Sequence, residues 1–269
     1  MFCDFSKYIW RFKCKLGKII SIVNQKGGVG KTTTAVNLAA AVGLEGRKVL
    51  LVDFDSQGNS TSGLGISKRQ LKASSYDVLV GSKKVEDAVI HSNFKNLDVI
   101  GAKVELAAAE VELVDVSNRE SLLKQAIFVL KKKYDFIFID CPPSLGILTL
   151  NALTASDSLL IPLQCEYYAL EGLSQLMYTV RQVKHLYNNR IEIEGVVLTM
   201  YDGRLKLTMQ IVSELKQYFA NKIYKTVVPK NVRLSEAPSF GEPVSYYDKR
   251  SKGALSYQTL AGEFLSFYR

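Results

Sequence analysis

Eleven residues in a row, Asn24-Gln25-Lys26-Gly27-Gly28-Val29-Gly30-Lys31-Thr32-Thr33-Thr34, have the types and spacing to bind a polyphosphate. Glycines let the backbone fold tightly and turn its N–H groups toward a phosphate. The helix-forming run Ala35-Val36-Asn37-Leu38-Ala39-Ala40 follows at once, and a helix N-terminus adds the positive end of its dipole. In that setting Lys31 reaches the β- and γ-phosphates and Thr32 offers its hydroxyl to Mg²⁺. The usual pattern has Gly six residues before Lys31, where this chain has Gln25; the core Gly-Gly-x-Gly-Lys-Thr is kept. Lys26 is a second cation inside the loop, where a spare positive charge beside a polyphosphate counts most.

Three carboxylates suit the same chemistry. Asp53 and Asp55 close an apolar run, where acids cap turns or serve a site. Asp140 closes another, and an acid there is costly without a partner. A hydrated Mg²⁺ near Thr32 is such a partner, since Mg²⁺ keeps its waters and takes few protein ligands; Asp140 is therefore expected in the Mg²⁺ shell through a water. Pro229 and Asn231 offer a ring that stacks on a base and an amide that reads donor and acceptor on adenine, or simply a turn. Cys3, Cys14, Cys141 and Cys165 show no two-residue gap, and His91 and His185 are the only histidines, so a zinc or redox motif is not expected.

These groups need a frame. Short Ile- and Val-rich runs predict buried strands over Lys18–Asn24, Lys48–Asp53, Asn96–Ile100, Tyr134–Asp140, Ser158–Pro162, Ile193–Met200 and Tyr224–Val228. Longer segments predict helices over Thr32–Glu45, Ser117–Lys132, Leu145–Ala155, Ala169–Leu186, Lys206–Ala220 and Gly253–Phe267. Strands buried on both faces and separated by helices imply an α/β fold. Its sheet is doubly wound, mostly parallel and sandwiched by helices, with ligands at the carboxyl ends of the strands. The chain of 269 residues has no Gly-, Ser- or Pro-rich linker, which implies a single domain over 17–269.

The formal net charge is +9, and it is unevenly spread. Residues 1–20 carry 5 positive and 1 negative side chain, residues 21–180 carry 16 and 17, and residues 181–269 carry 14 and 8. Localised basic charge points to a polyanion or to a solvated surface. No apolar run approaches the ~18 residues of a spanning helix, and a cytoplasmic protein is expected. Residues 1–16 mix Phe2, Phe5, Ile9, Trp10 and Phe12 with Lys7, Arg11 and Lys13. They are expected to be a disordered extension or a start placed too far upstream, with a short basic amphipathic helix as the alternative.

Several blocks carry a family resemblance. Lys26-Gly27-Gly28-Val29-Gly30-Lys31-Thr32-Thr33 resembles the deviant Walker A motif of the ParA/MinD group of P-loop ATPases. Leu51 to Asn59 resembles that group's switch segment, and Phe136 to Ser144 its Walker B strand. Gln164-Cys165-Glu166-Tyr167-Tyr168-Ala169-Leu170-Glu171-Gly172 and Pro229 to Ser239 resemble the Soj branch of ParA, the chromosome-partitioning ATPases. The resemblance implies ATP and Mg²⁺ as ligands, hydrolysis that is slow and partner-stimulated, and a homodimer formed on ATP. It implies that Lys26 crosses the dimer interface to the partner's phosphates and that Asp55 positions the attacking water with Asp53 in support. It places adenine at Pro229 and Asn231 and the DNA backbone at Arg204 and Arg233. It further implies nonspecific double-stranded DNA and a ParB-type centromere-binding protein as partners, nucleoid association when ATP is bound, and no stable membrane association. Ser56 stands where the family usually has Pro, which bears on the stiffness of the switch. Two rivals share the superfamily: a MinD-like membrane-positioning ATPase, which carries a basic amphipathic C-terminal helix, and an iron–sulfur carrier or reductase, which uses clustered cysteines.

Overall fold

The computed structural model describes residues 16–268. The expectation for residues 1–16 falls, but for Leu16, outside them. Seven strands form one sheet: β1 Lys18–Ile22, β2 Val49–Asp53, β3 Val89–His91, β4 Leu97–Ile100, β5 Phe136–Asp140, β6 Ser158–Gln164 and β7 Glu192–Thr199. Their order is β3-β4-β2-β5-β1-β6-β7, and every pairing is parallel except that of β3 with β4.

Eleven α-helices lie among them in the described residues: α1 Lys31–Leu44, α2 Asn59–Gly63, α3 Ser75–Leu79, α4 Ala109–Glu112, α5 Leu122–Ile127, α6 Ile147–Ala155, α7 Ala169–Leu186, α8 Lys206–Phe219, α9 Val232–Glu236, α10 Val244–Tyr247 and α11 Lys252–Ser266. Strand side chains alternate between two cores. Ile19, Leu50 and Val52 join the layer of α5, α6, α7 and α8. Ile20, Val49 and Leu51 face the layer of α1 and α11. That period of two, apolar on both faces, explains why the central strands read as unbroken apolar runs. No helix among the described residues is long and apolar enough to cross a membrane.

Three expectations need correction. The segment 224–228 is not a strand. It runs beside β7 through single bonds, Tyr224 N to Val196 O at 3.0 Å and Val228 N to Leu198 O at 2.9 Å, with only isolated bridges at Ile223 and Pro229. The predicted helix over 117–132 is broken into a 3₁₀ turn at Arg119–Ser121, the two turns of α5, and a second 3₁₀ stretch at Phe128–Lys132. Asn118 enters this region with φ of 56°, which no α-helix accommodates. The antiparallel strand β3 was not predicted: three partly exposed edge residues leave no pattern.

Candidate functional site

The site is built where β1, β2 and β5 end. The loop leaving β1 bends at Gly28 and Gly30, whose φ values of 74° and 85° belong to the left-handed region that glycine enters freely. Asn24 braces it, donating from Nδ2 to Pro162 O at 2.8 Å and accepting Lys26 N at 3.0 Å. From β7, Thr199 Oγ1 donates to Val29 O at 2.8 Å and ties down the tip. Gly27 and Gly28 remain exposed, so the loop's backbone faces open space rather than the core.

Lys31 begins α1 and is buried at 7% exposure. Its Nζ donates to Lys26 O at 3.0 Å inside the curl of the loop. Burial lowers its pKa, and the carboxylates of Asp140 and Asp55 oppose that shift. A buried ammonium ringed by backbone is arranged for an anionic ligand. Lys26, in contrast, directs its own Nζ to Glu166 of the same chain in an ion pair. Thr32 and Thr33 are half-buried beside Lys31.

The parallel register sets Asp53 directly opposite Asp140. Both are buried. Asp53 accepts Thr61 N at 2.7 Å and Thr61 Oγ1 at 2.6 Å through one oxygen, and Asp55 N at 3.3 Å through the other. Asp140 accepts Ser60 Oγ at 2.7 Å through Oδ2, while its buried Oδ1 has no partner among the described residues. Burial holds both carboxyls above the ordinary carboxylate range. The bonds from Thr61 oppose this on Asp53. On Asp140 the charge of Asp53 adds to burial, and the Ser60 and Thr32 hydroxyls oppose it. The orphaned oxygen beside Thr32 passes the test for a hydrated Mg²⁺, which supplies donors and offsets the paired negative charge. Among the described residues no group of three or more His, Cys, Asp or Glu side chains is arranged as a metal centre.

One consequence is measurable. An acid whose folded pKa is raised holds a proton that the unfolded chain has released, so its burial costs more as pH climbs from the unfolded value near 4 through the folded value of about 7 for Asp140. Asp140→Asn, melted without nucleotide or Mg²⁺, is expected to gain a few degrees over the parent at pH 8. The gain should shrink as pH falls to 5, and the variant should lose the Mg²⁺ dependence of nucleotide binding. Equal melting curves at both pH values would show that the pair is not under this strain.

Asp55 lies just past β2. Its Oδ1 accepts Gln57 N at 3.0 Å, and its carbonyl accepts Gly58 N at 2.8 Å. Lys68 Nζ adds a bond to Gln57 O. Ser56 therefore sits in a turn stiffened by hydrogen bonds in place of a prolyl ring.

Pro229 and Asn231 come together with Gly30, Thr33, Thr199 and Tyr257 around a cavity of about 260 Å³ beside the loop. Asn231 is also the N-cap of α9, where its Oδ1 accepts Arg233 N at 3.1 Å. Arg204 is highly exposed, but Asp202 grips it twice, at 2.9 Å and 2.6 Å. Arg233 pairs with Glu236 at 2.7 Å and Asp248 at 3.3 Å. Sequence reasoning missed Ser60, Thr61, Thr199 and the pairing role of Glu166; only Glu166 lay inside a recognised block.

Solved structures share this fold. The cobyrinic acid a,c-diamide synthase of Mycobacterium smegmatis with bound ADP and magnesium superposes with a TM-score of 0.78 at 33% identity, over 94% of this chain and 96% of that one. The cell division ATPase MinD of Pyrococcus furiosus does so with a TM-score of 0.76 at 30% identity, over 94% and 100%. Fold and site together define a P-loop nucleotide-binding protein of the deviant, two-lysine type. The family described as an AAA domain matches residues 17–193. The sporulation initiation inhibitor protein Soj of Bacillus subtilis (strain 168) is 58% identical over 92% of this chain and 98% of its own length. The chromosome partitioning protein ParA of Myxococcus xanthus (strain DK1622) is 51% identical over 93% and 88%. The chain belongs to the ParA/Soj family of chromosome-partitioning ATPases.

Proposed function

We propose that this chain is an ATP-gated switch in chromosome or plasmid partitioning: ATP and Mg²⁺ join two copies, the dimer holds DNA without regard to sequence, and hydrolysis releases it. The observation that carries this reading is the convergence of the buried Lys31 ammonium with Asp53, Asp55 and the half-satisfied Asp140 at one end of the sheet. In it the loop N–H groups and Lys31 bind the β- and γ-phosphates. Thr32, with Asp140 through a water, holds Mg²⁺, which when bound neutralises phosphate charge. Asp55 orients the attacking water while Asp53, pinned by Thr61, keeps the switch segment in place. Lys26 leaves Glu166 and reaches the partner's phosphates, so that ATP bridges the subunits. Asn231 and Pro229 receive the adenine.

A ParB-type centromere-binding protein is the expected stimulator of hydrolysis. The expected location is the cytoplasm, with the ATP-bound form on the nucleoid. Arg204 and Arg233 are assigned to DNA phosphates. Their pairs with Asp202, Glu236 and Asp248 are exposed and are exchanged for phosphate at little cost. The combined variant Arg204→Ala, Arg233→Ala is expected to weaken binding to two unrelated duplexes equally. It should flatten the log–log salt dependence by about 0.9 per lost contact and leave ATP-driven dimerisation intact. Anisotropy titrations at several salt concentrations test this. An unchanged salt slope would move the DNA surface away from the C-terminal third. Binding to anionic vesicles in place of DNA would favour a MinD-like membrane role.

A further inference from the structure

The segment 56–76 carries Lys68, Arg69 and Lys72 and no acid. The fold brings Lys103, from beyond β4, to the same place. Lys68, Arg69 and Lys103 line an open depression of about 470 Å³ together with Ser56 and Gln57 of the switch turn. Glu105 is the one acid in its lining; Asp77 also feels the Lys103 charge, although against burial it is chiefly the hydrogen bonds of Ser74 that hold its pKa down. None of these cations forms an ion pair with an acid among the described residues.

Two of the ammonium groups are already held in position. Lys68 Nζ donates to Gln57 O, and Lys103 Nζ donates to Leu71 O at 2.9 Å. An ammonium has three donors, so each keeps two for a ligand, and a cation whose side chain is already ordered loses less entropy on binding. Arg204 and Arg233 differ on this point, since both are covered by carboxylates. A concave cluster of Lys, Arg, Ser and Gln matches the groups that grip a nucleic-acid backbone. A lipid surface would instead need an amphipathic helix to insert, and the depression is bordered by turns and short 3₁₀ segments.

We propose that Lys68, Arg69 and Lys103, flanked by Lys72, form a second contact surface for the phosphates of duplex DNA, set directly against the switch turn. The inference rests on the DNA-binding reading above. It adds a surface lined by residues that follow β2 and β4, distinct from the residues at α9 and after β7. Phosphate held here shares Lys68 with the carbonyl of Gln57, the residue whose N–H donates to Asp55, so bound DNA and the switch segment meet at one side chain.

The test compares the full chain with two variants, in ATP and Mg²⁺, on two short unrelated duplexes over a range of salt. Lys68→Gln/Arg69→Gln/Lys103→Gln is expected to bind about tenfold or more weakly, with a log–log salt slope shallower by about 2–3, at ~0.9 per lost phosphate. Arg69→Gln/Lys72→Gln, at two exposed positions, should show a smaller loss in the same direction. Binding by the parent chain with unchanged slopes in both variants overturns this surface alone. Failure of the parent chain to bind any duplex overturns the DNA reading and this surface with it. If the variants keep DNA binding but lose binding to phosphatidylglycerol vesicles, the cluster is a lipid site and the proposal is wrong.

Discussion

Lys31→Ala is expected to abolish ATP binding at concentrations where the parent chain saturates. The Lys31 ammonium lies inside the curl of the loop, buried, 3.0 Å from the Lys26 carbonyl, with Asp140 and Asp55 as the nearby carboxylates. Its burial is costly unless an anion arrives, and the β- and γ-phosphates are the anions that the loop is shaped to hold. Charge-assisted hydrogen bonds are worth ~1.5–3 kcal/mol each, so loss of two of them lowers affinity by roughly 100-fold or more. Titration with a fluorescent ATP analogue measures the loss. The absence of any nucleotide-induced rise in melting temperature confirms it in a variant that still folds. Near-normal affinity would remove the phosphate loop from the account.

Asp55→Ala is expected to bind ATP and hardly hydrolyse it, so that the ATP-bound dimer accumulates. Asp55 stands past the end of β2 on the switch turn, bonded to Gln57 N, and forms no ion pair with Lys31 among the described residues. A carboxylate that orients or deprotonates water contributes ~10²–10⁴-fold to a rate, and turnover should fall by about that factor. The alanine variant also removes the bond to Gln57 N. Asp55→Asn keeps an acceptor for that bond, so a comparable loss in the asparagine variant assigns the effect to the carboxylate itself. Steady-state turnover and size-exclusion chromatography in ATP give the two readouts. Normal turnover, or a variant that stays monomeric, would contradict the role.

The sheet was readable because its central strands are buried on both faces. Phe136-Ile137-Phe138-Ile139 and Leu50-Leu51-Val52 have no polar side to confuse the pattern. Helix α7 has the predicted limits because its buried residues, Leu173, Leu176, Val180 and Val183, recur at helical spacing along a polar helix. The segments that failed lie at edges. β3 is three residues long, and 224–228 bonds to β7 at too few points to be a strand. The loop, Asp53, Asp140, Pro229 and Asn231 could be singled out because the proposed phosphate and base binding demands particular residue types at particular spacing. Ser60, Thr61 and Thr199 were not, because a hydroxyl that orients a carboxylate or a loop leaves no spacing signal, and its partner is fixed only by the fold. The cluster of Lys68, Arg69 and Lys103 was hidden by arithmetic. It lies within residues 21–180, whose 16 positive and 17 negative side chains cancel when summed along the chain, though not when placed in space.

The central claim is that nucleotide state governs association, and sedimentation velocity tests it most directly. The full chain is run with Mg²⁺ and ATP, with Mg²⁺ and ADP, and with Mg²⁺ alone, at one protein concentration. The account predicts a species of twice the chain mass in ATP and single chains in the other two, with Lys26→Ala failing to dimerise in ATP because no cation then reaches across to the partner's phosphates. A single-chain species under all three conditions, or a dimer indifferent to nucleotide, would contradict it.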